Sequence, residues 1–478
     1  MAKKIDPRLT SAMHALASGQ VEQADALCRS VLQERRRDDL AMALLAQVCN
    51  QTGKYEEALQ LIRNAIARNG KRADYHGLLA DMLCTQGNFR GAIGAYDKAL
   101  KYQPNHPGVL AGKANTWLRL HHPEKAINLL KPVMKGGKED LTIATVYAKA
   151  LIKIGNPADA AAILLGHLPA DREPVETRRS LYFVLGKAME NAGEFKSSFE
   201  AYEQGNALSQ DQYDHVDCQR KIDDIKLAFP LDATSPSIQS RNEESTRVFI
   251  VGMPRSGSTL TEQIVDAHPD GVGLGEIETF PTLLSKYSEG QSISDFWKNV
   301  QQSTLNEIAH EYIEATKKVE KVIVDKQLGN YPFMGMIAAL LPQAKFIHCT
   351  RNPMSIGLSC FAEKLPPRTN AWSNDLENIG KYYGQYDAIM KHWDVLLRNK
   401  ILEVNYEALI ADQEHQTKRI LDFCGLPFDE RCMRFWESGR VVLTLSQDQV
   451  HQPLYASSVE RFVRFGTLLD PLREALDQ

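Results

Sequence analysis

The sequence predicts an all-α array of repeated helix pairs, followed by an α/β domain with a parallel sheet. Two observations carry this prediction. Glycine and alanine recur with a fixed period in the first half of the chain, whereas the second half alternates short runs of β-branched and aromatic residues with helical patterns. A fixed period of this length is typical of stacked repeats. Alternating strands and helices favour a parallel sheet with helices on both faces.

The period of the first half is 34 residues. The turn glycines stand at steps of 34, 34 and 68 residues, at Gly19, Gly53, Gly87 and Gly155. His121 occupies the place of the missing glycine, and a sixth copy, displaced by four residues, begins at Gly193. Five residues after each of the first five turns stands an alanine: Ala24, Ala58, Ala92, Ala126 and Ala160. The glycines predict a left-handed backbone at each turn, and the small alanines predict a close approach of paired helices.

This pattern resembles the tetratricopeptide repeat. The resemblance implies a curved solenoid that binds proteins or peptides in its groove, or that mediates self-association as a homodimer, and that carries no chemistry of its own. We expect repeats over residues 1–212, a capping helix and linker over 213–245, and the α/β domain over 246–478. Within the middle segment, the helix is expected at Val216–Phe229.

The bulk composition limits the class of protein. The chain has 478 residues, of which 43% are hydrophobic and 24% charged, as in a soluble protein of two or three domains. Its net charge of −4 disfavours a nucleic-acid partner. The chain has no apolar run of about 18 residues, so we expect no membrane span. Its polar start lacks the apolar segment of a secretory signal. The 8 scattered cysteines form no C-x-x-C pair, so we expect reduced thiols and a cytoplasmic location.

The strands and helices of the second half locate the chemistry. The predicted strands are Thr246–Val251, Val322–Val324, Lys345–His348 and Ile401–Val404. The clearest helical patterns between and after them are Leu260–Ala267, Phe333–Leu341 and Ile379–Leu397. Ligands of such folds bind beyond the carboxyl ends of the strands. Residues that directly follow these strands are therefore the first candidates for a site.

The first predicted strand is followed by a turn that is typical of phosphate binding. Gly252 and Gly257 bracket four residues, as in nucleotide-binding loops, and a helix follows. Ser258 stands where those loops carry a lysine, which a nucleoside triphosphatase needs together with Mg²⁺. The loop offers Arg255 and hydroxyl groups instead. This suits a sulfuryl group, which carries fewer negative oxygens than a phosphoryl group, and we expect no metal.

The segment Val251-Gly-Met-Pro-Arg-Ser-Gly-Ser-Thr-Leu resembles the 5′-phosphosulfate loop of sulfotransferases that use 3′-phosphoadenosine 5′-phosphosulfate (PAPS). Asp266-Ala-His-Pro and Gly275-Glu276 are similar to the protein-tyrosine branch of that family. Together with the repeats, the chain resembles bacterial repeat-containing sulfotransferases, with a P-loop-like sulfotransferase fold. The resemblance implies that PAPS and its desulfated product bind the loop, through Pro254, Arg255, Ser256, Gly257, Ser258 and Thr259.

The same resemblance implies three further groups that bind the donor. An arginine at a strand end and a serine eight residues later bind the 3′-phosphate in this family, and these correspond to Arg351 and Ser359. Pro353 suits the first position of the intervening helix, with Asn352 as its N-cap. Lys326 corresponds to the lysine placed against the transferring sulfuryl group, and Tyr406 to a tyrosine near the adenine.

The catalytic base is expected to be a carboxylate. The resemblance implies Glu276, which directly follows Gly275, and Glu278 is its rival because an extended chain places both on one face. His268 and His348 are more easily explained as structural residues, and His451 is a further open alternative. We therefore expect Glu276 as base, with Arg255 and Lys326 stabilising the transferred group.

Two departures from the animal tyrosine enzymes limit what the resemblance implies. No basic residue follows Glu276 before Lys286, so specificity for acidic peptides does not carry over. Ser446–Tyr455 resembles the C-terminal nucleotide segment, but Gln452 replaces a lysine there. The acceptor is then a peptide tyrosine, a glycan or a small-molecule hydroxyl. The alternatives are a P-loop-type nucleotide kinase or triphosphatase, and a repeat scaffold with an inactive transferase domain.

Overall fold

The structure is a computed structural model, and it describes residues 5–134, 140–168, 170–231, 246–437 and 460–477. The chain divides into two compact units, Met1–Glu194 and Phe195–Gln478. The second unit thus begins inside the sixth predicted repeat. The predicted domain bounds, 1–212, 213–245 and 246–478, stay a prediction.

The first unit consists of successive helices, each packed against the next. They are α1 (Pro7–Ala17), α2 (Val21–Glu34), α3 (Asp39–Gln51), α4 (Tyr55–Arg68), α5 (Ala73–Thr85), α6 (Phe89–Tyr102), α7 (Pro107–Arg119), α8 (Pro123–Met134), α9 (Leu141–Lys153), α10 (Pro157–Leu165) and α11 (Val175–Asn191). The predicted helical repeat array is therefore confirmed.

The turns between paired helices have the predicted backbone. The φ angles at Gly19, Gly53, Gly87 and Gly155 lie between 72° and 83°. His121, which replaces the glycine of the fourth repeat, has φ 57°, so the turn keeps its left-handed form without a glycine. The periodic alanines are all fully buried, at Ala24, Ala58, Ala92, Ala126 and Ala160. A larger side chain at these positions would separate the paired helices.

A five-stranded parallel sheet forms the centre of the second unit, in the order β2-β3-β1-β4-β5. Its strands are β1 (Arg247–Gly252), β2 (Gly271–Gly273), β3 (Val322–Asp325), β4 (Lys345–Thr350) and β5 (Ile401–Asn405). The four predicted strands are confirmed. The edge strand β2 was not predicted, because it has three residues and two of them are glycine.

Helices precede, connect and follow the strands of the second unit. They are α12 (Phe195–Ala207), α13 (His215–Ala228), α14 (Ser258–Asp266), α15 (Thr279–Ser288), α16 (Ile293–Asn299), α17 (Gln302–Ala315), α18 (Met334–Leu340), α19 (Pro353–Phe361), α20 (Pro367–Asn370), α21 (Leu376–Leu396), α22 (Tyr406–Ala411), α23 (Gln413–Cys424) and α24 (Asp470–Leu476). The predicted helix at 333–341 is preceded by a 3₁₀ turn, Leu328–Phe333.

The core of the second unit lies against the sheet. Val248, Ile250 and Ile347 on the central strands are fully buried, and they pack in one cluster with Ile264 of α14 and Val404 of β5. This burial fixes the strands in register, so that β1, β3 and β4 all direct their carboxyl ends to one edge. Among the described residues, none of the helices has the length and apolar character that crossing a membrane requires.

Candidate active site

The turn between β1 and α14 is built around two crowded glycines. Gly252 lies opposite Cys349 of β4, and a Cβ added to Gly252 would lie 2.6 Å from the Cys349 carbonyl oxygen. Gly257, the N-cap of α14, has φ 98°, and a Cβ added there would lie 2.7 Å from the Tyr406 ring. Only glycine fits at either position. The turn Gly252–Gly257 is called the loop below.

The loop and the start of α14 carry buried hydroxyl groups. Ser256, Ser258 and Thr259 are 1%, 5% and 6% exposed. The Ser256 Oγ has no hydrogen-bond partner among the described residues. A buried hydroxyl without a partner, next to the positive end of a helix, fits an anionic ligand. The loop therefore fits the phosphosulfate group that the sequence predicts there.

Arg255 of the loop contacts two of the predicted 3′-phosphate residues directly. Its Nε donates to Ser359 Oγ at 3.2 Å, and its carbonyl oxygen accepts from Arg351 Nη1 at 3.1 Å. Arg351 also lies over the Tyr406 ring, 4.5 Å from its centroid. Burial lowers the pKa of the Arg351 guanidinium. The structure thus brings Arg255, Arg351, Ser359 and Tyr406 together.

The helix that carries Ser359 begins as the sequence predicts. Asn352 is the N-cap of α19, and its side chain accepts from the Ser355 backbone N–H at 3.1 Å. Pro353 is the first helical residue. The capped first turn fixes the direction of α19 away from β4, so Arg351 stays at the strand end and Ser359 lies farther along the helix.

Lys326 and Glu276 form an ion pair beyond β3. The Lys326 Nζ lies 2.5 Å from Glu276 Oε1. The lysine side chain is fully buried, whereas the glutamate side chain is 48% exposed. Because an isolated buried ammonium group is unfavourable, Glu276 stabilises the charge of Lys326. The pair leaves one face of the glutamate open to solvent.

The backbone next to this pair is fixed by a buried carboxylate. Gly275 has φ 76°, and its N–H donates to Glu262 Oε1 of α14 at 2.7 Å. The Gly275 carbonyl oxygen accepts from the Lys326 backbone N–H at 3.1 Å. Glu262 is 3% exposed. The residue that precedes Glu276 is therefore held from both sides.

Glu278 has a different partner from Glu276. The Gln327 Nε2 donates to Glu278 Oε1 at 2.6 Å. The two glutamates thus contact consecutive residues after β3, one a lysine and the other an amide. Periodicity alone did not separate these two carboxylates, and the structure shows that they have different partners.

A buried aspartate supports the same segment. Asp325, at the end of β3, accepts from the Tyr312 hydroxyl at 2.7 Å and from the Gln327 N–H at 2.9 Å. Burial raises the pKa of Asp325 to about 6. Sequence reasoning did not select Glu262, Tyr312 or Gln327. No clear sequence signal pointed to Glu262, because α14 (Ser-Thr-Leu-Thr-Glu-Gln-Ile-Val-Asp) contains several other polar residues.

The candidate histidines make other contacts. His268 Nδ1 accepts from the Asp270 N–H at 3.0 Å, so its Nε2 donates to the Pro427 carbonyl oxygen at 3.1 Å. His348 Nε2 lies 2.5 Å from the Tyr386 hydroxyl, and burial lowers the pKa of His348. His451 and the segment Ser446–Tyr455, which includes Gln452, lie outside the described residues.

The basic residue that follows Glu276 in the sequence has a carboxylate partner of its own. Lys286, the first basic residue after Glu276, lies 2.7 Å from Glu311 and is directed to that carboxylate. Across the described ranges, no group of three or more histidine, cysteine, aspartate or glutamate residues has the arrangement of a metal site.

Comparison with known proteins agrees with this geometry. The model of the family described as "Sulfotransferase family" matches residues 247–430, which include the loop, both glutamates, Lys326, Arg351 and Tyr406. Residues 247–430 are a sulfotransferase-family domain. In the first half of the chain, a tetratricopeptide-repeat model matches residues 15–82, and a model described as "Anaphase-promoting complex, cyclosome, subunit 3" matches residues 85–167. The resemblance predicted from the sequence is thus confirmed for both halves.

Relatives of this sulfotransferase-family domain and its repeats are distant. An uncharacterized protein of Aquifex aeolicus is 30% identical over 64% of this chain, but the chain spans only 42% of that protein. Protein-tyrosine sulfotransferase A of Caenorhabditis elegans is 23% identical over 53% of this chain and 70% of its own length. The sulfotransferase domain of the Synechococcus PCC 7002 olefin synthase is a structural neighbour, with a TM-score of 0.37, 18% identity, and coverage of 51% of this chain and 96% of that one.

Proposed function

We propose that this protein transfers the sulfuryl group of PAPS to a hydroxyl acceptor. The observation that carries the proposal is the pairing of the fully buried Lys326 with the half-exposed Glu276 at 2.5 Å. A buried cation beside a solvent-facing carboxylate provides the two charges that the transfer needs. The cation stabilises the leaving oxygen, and the carboxylate removes the acceptor proton.

The donor would bind along the loop and the start of α19. The loop N–H groups, Ser256, Ser258 and Thr259 would hold the 5′-phosphosulfate, with the loop contacts extending from Pro254 to Thr259. Arg351 and Ser359 would bind the 3′-phosphate, since an arginine fork matches a phosphate dianion. Tyr406 would lie against the adenine. PAPS supplies an activated sulfuryl group, and its desulfated product leaves after transfer.

In the transfer, one bond to sulfur forms and one breaks. Glu276 would accept the proton of the acceptor hydroxyl while the acceptor oxygen bonds to sulfur. The bond between sulfur and the bridging phosphate oxygen breaks, and Lys326 would stabilise the charge that develops on that oxygen. Arg255 would stabilise the sulfuryl oxygens. A phenol has a pKa of about 10, so at neutral pH it requires such a base.

The repeats would recruit a partner protein or present the acceptor, and self-association is the alternative use. The acceptor is a peptide tyrosine, a glycan or a small-molecule hydroxyl. A cytoplasmic location stays a prediction from the cysteine content.

The test combines ligand binding with transfer. Calorimetric titration should show binding of the desulfated product, 3′-phosphoadenosine 5′-phosphate (PAP), and weak or no binding of ATP·Mg²⁺. Incubation of labelled PAPS with a cell lysate should then give a labelled product that depends on the enzyme. Tight binding of ATP·Mg²⁺ without binding of PAP would establish the kinase alternative. Binding of PAP without any transfer would support a scaffold with an inactive domain.

A further inference from the structure

Arg255 has a backbone conformation that residues with a Cβ rarely adopt. Its φ is 71°, in the left-handed region. Arginine has no intrinsic preference for that region, in contrast to glycine or asparagine. A residue held there persists only where its surroundings impose the conformation. Neighbouring groups must therefore support the conformation of Arg255.

Two supports come from the residues assigned to the 3′-phosphate. The Arg351 guanidinium holds the Arg255 carbonyl oxygen at 3.1 Å, and Ser359 Oγ holds the Arg255 Nε at 3.2 Å. One bond fixes the peptide group of Arg255, and the other fixes the direction of its side chain. Arg351 and Ser359 are each 8% exposed, so both bonds are shielded from water.

We infer that Arg351 and Ser359 are also positioning residues, which hold Arg255 of the loop in its left-handed conformation and aim its guanidinium at the 5′-group of the donor. The inference rests on the proposed function. It adds that the residues at one end of the donor site organise the loop that binds the other end of the donor.

The hydrogen-bonding capacity of both side chains permits the two roles together. The serine oxygen accepts from Arg255 and retains its own O–H to donate to a phosphate. The Arg351 guanidinium has five N–H donors, more than its bond to Arg255 requires. Arg351 and Ser359 can thus bind a 3′-phosphate without releasing the loop.

A ligand without a 3′-phosphate separates the two roles. Adenosine 5′-phosphosulfate retains the 5′-group but has no 3′-phosphate for Arg351 or Ser359 to bind. If Arg351 and Ser359 only bind the 3′-phosphate, their removal leaves the affinity for adenosine 5′-phosphosulfate unchanged. If they hold the loop, its binding weakens. Because these bonds act on the ligand only through the position of Arg255, we take the lower part of the hydrogen-bond range, which corresponds to about three- to tenfold in affinity.

The first experiment measures the affinity of adenosine 5′-phosphosulfate for the full-length chain and for Ser359→Ala and Arg351→Ala. Both variants should bind it about three- to tenfold more weakly. Thr350→Ala is the control, because Thr350 neighbours Arg351 in sequence but its hydroxyl donates to Glu403 at 3.1 Å. The affinity of this variant for adenosine 5′-phosphosulfate should match that of the wild type. Unchanged affinity in both Ser359→Ala and Arg351→Ala would overturn the inference.

The second experiment repeats Ser359→Ala in an Arg255→Gly background. Glycine adopts a positive φ without support and has no side chain to aim, so the effect of Ser359→Ala on this ligand should disappear. An equal effect in both backgrounds would overturn the inference. Ser359→Ala removes a single hydroxyl, so it carries the test even if Arg351→Ala unfolds, which a thermal melt detects.

The two proposals fail in different ways. A wild-type chain that binds neither PAP nor adenosine 5′-phosphosulfate would refute the proposed function. A chain that binds PAP tightly, and whose affinity for adenosine 5′-phosphosulfate is indifferent to Ser359 and Arg351, would refute only the positioning role.

Discussion

Replacing Glu276 by glutamine tests the proposed base with the smallest change of shape. Glutamine keeps one oxygen that can accept from Lys326, which now lies 2.5 Å from Glu276 Oε1. It removes the charge and the ability to take a proton. Glu278→Gln is the matched control, because it makes the same chemical change two residues away and keeps an oxygen for Gln327, now 2.6 Å from Glu278.

The expected effects differ by orders of magnitude. A positioned general base contributes roughly 10²–10⁴ in rate, so turnover of Glu276→Gln should fall by about that factor. Nucleotide affinity should change little, since Glu276 contacts Lys326 rather than the loop. Glu278→Gln should retain turnover within about threefold, because its partner is a neutral amide. Lys326 loses its counter-charge in Glu276→Gln, and the retained oxygen limits that loss.

The assay is single-turnover transfer from labelled PAPS at saturating donor, with PAP affinity measured in parallel. Saturation separates the chemical step from binding. If Glu278→Gln is the inactive variant, the base is misassigned by two residues. If both variants stay active, the acceptor proton leaves by another route, and the carboxylate mechanism is refuted.

Three further predictions concern metal, pH and the repeats. Transfer should be complete in EDTA, since Lys326 and Arg255 supply the positive charge; loss of transfer in EDTA with recovery on adding Mg²⁺ would contradict this. Asp325→Asn should remove a pH dependence of stability. Because burial raises the pKa of Asp325 from 3.8 to about 6, its ionisation destabilises the fold, so wild-type stability relative to the variant falls by about 2 kcal/mol as pH rises from 4 to 6 in urea unfolding; a constant difference would refute the buried charge. Gly53→Ala should destabilise the repeats by about 1–2 kcal/mol in thermal unfolding, because φ is 75° at this position. The added Cβ meets nothing within 4 Å, so this cost comes from the backbone conformation and not from a clash; an unchanged melt would contradict the left-handed turn.

The sequence predicted most of the fold because its signals are local. The repeat glycines report a backbone angle at one residue, and His121 shows that the angle survives the loss of the glycine. The strand patterns of β1, β3, β4 and β5 were visible as short apolar runs. The edge strand β2 was not, since Gly271–Gly273 has no pattern of its own and pairs only because β3 lies beside it.

The candidate site was predicted residue by residue, but not as a set of contacts. The rule that ligands bind beyond parallel strand ends places Arg255, Lys326 and Arg351 at one edge. It does not say that the Arg351 guanidinium bonds the Arg255 carbonyl, because that contact depends on how the side chains of separate elements pack. Glu262 was missed for the same reason. Its partner, the Gly275 N–H, is 13 residues away and becomes a neighbour only in the fold.

The missing loop lysine has a spatial counterpart in this structure. Nucleotide-binding loops carry their cation within the loop, and here Ser258 stands in that position. The buried ammonium group at this edge of the sheet comes from Lys326 after β3, paired with Glu276. On the proposed function, Glu276 neutralises the charge of Lys326, because an unpaired buried lysine would be strongly unfavourable. When the bridging oxygen of the donor takes over part of that interaction, the carboxylate is released toward solvent, where the acceptor arrives. On this proposal, one ion pair would both neutralise the buried lysine and place the base beside the transferred group.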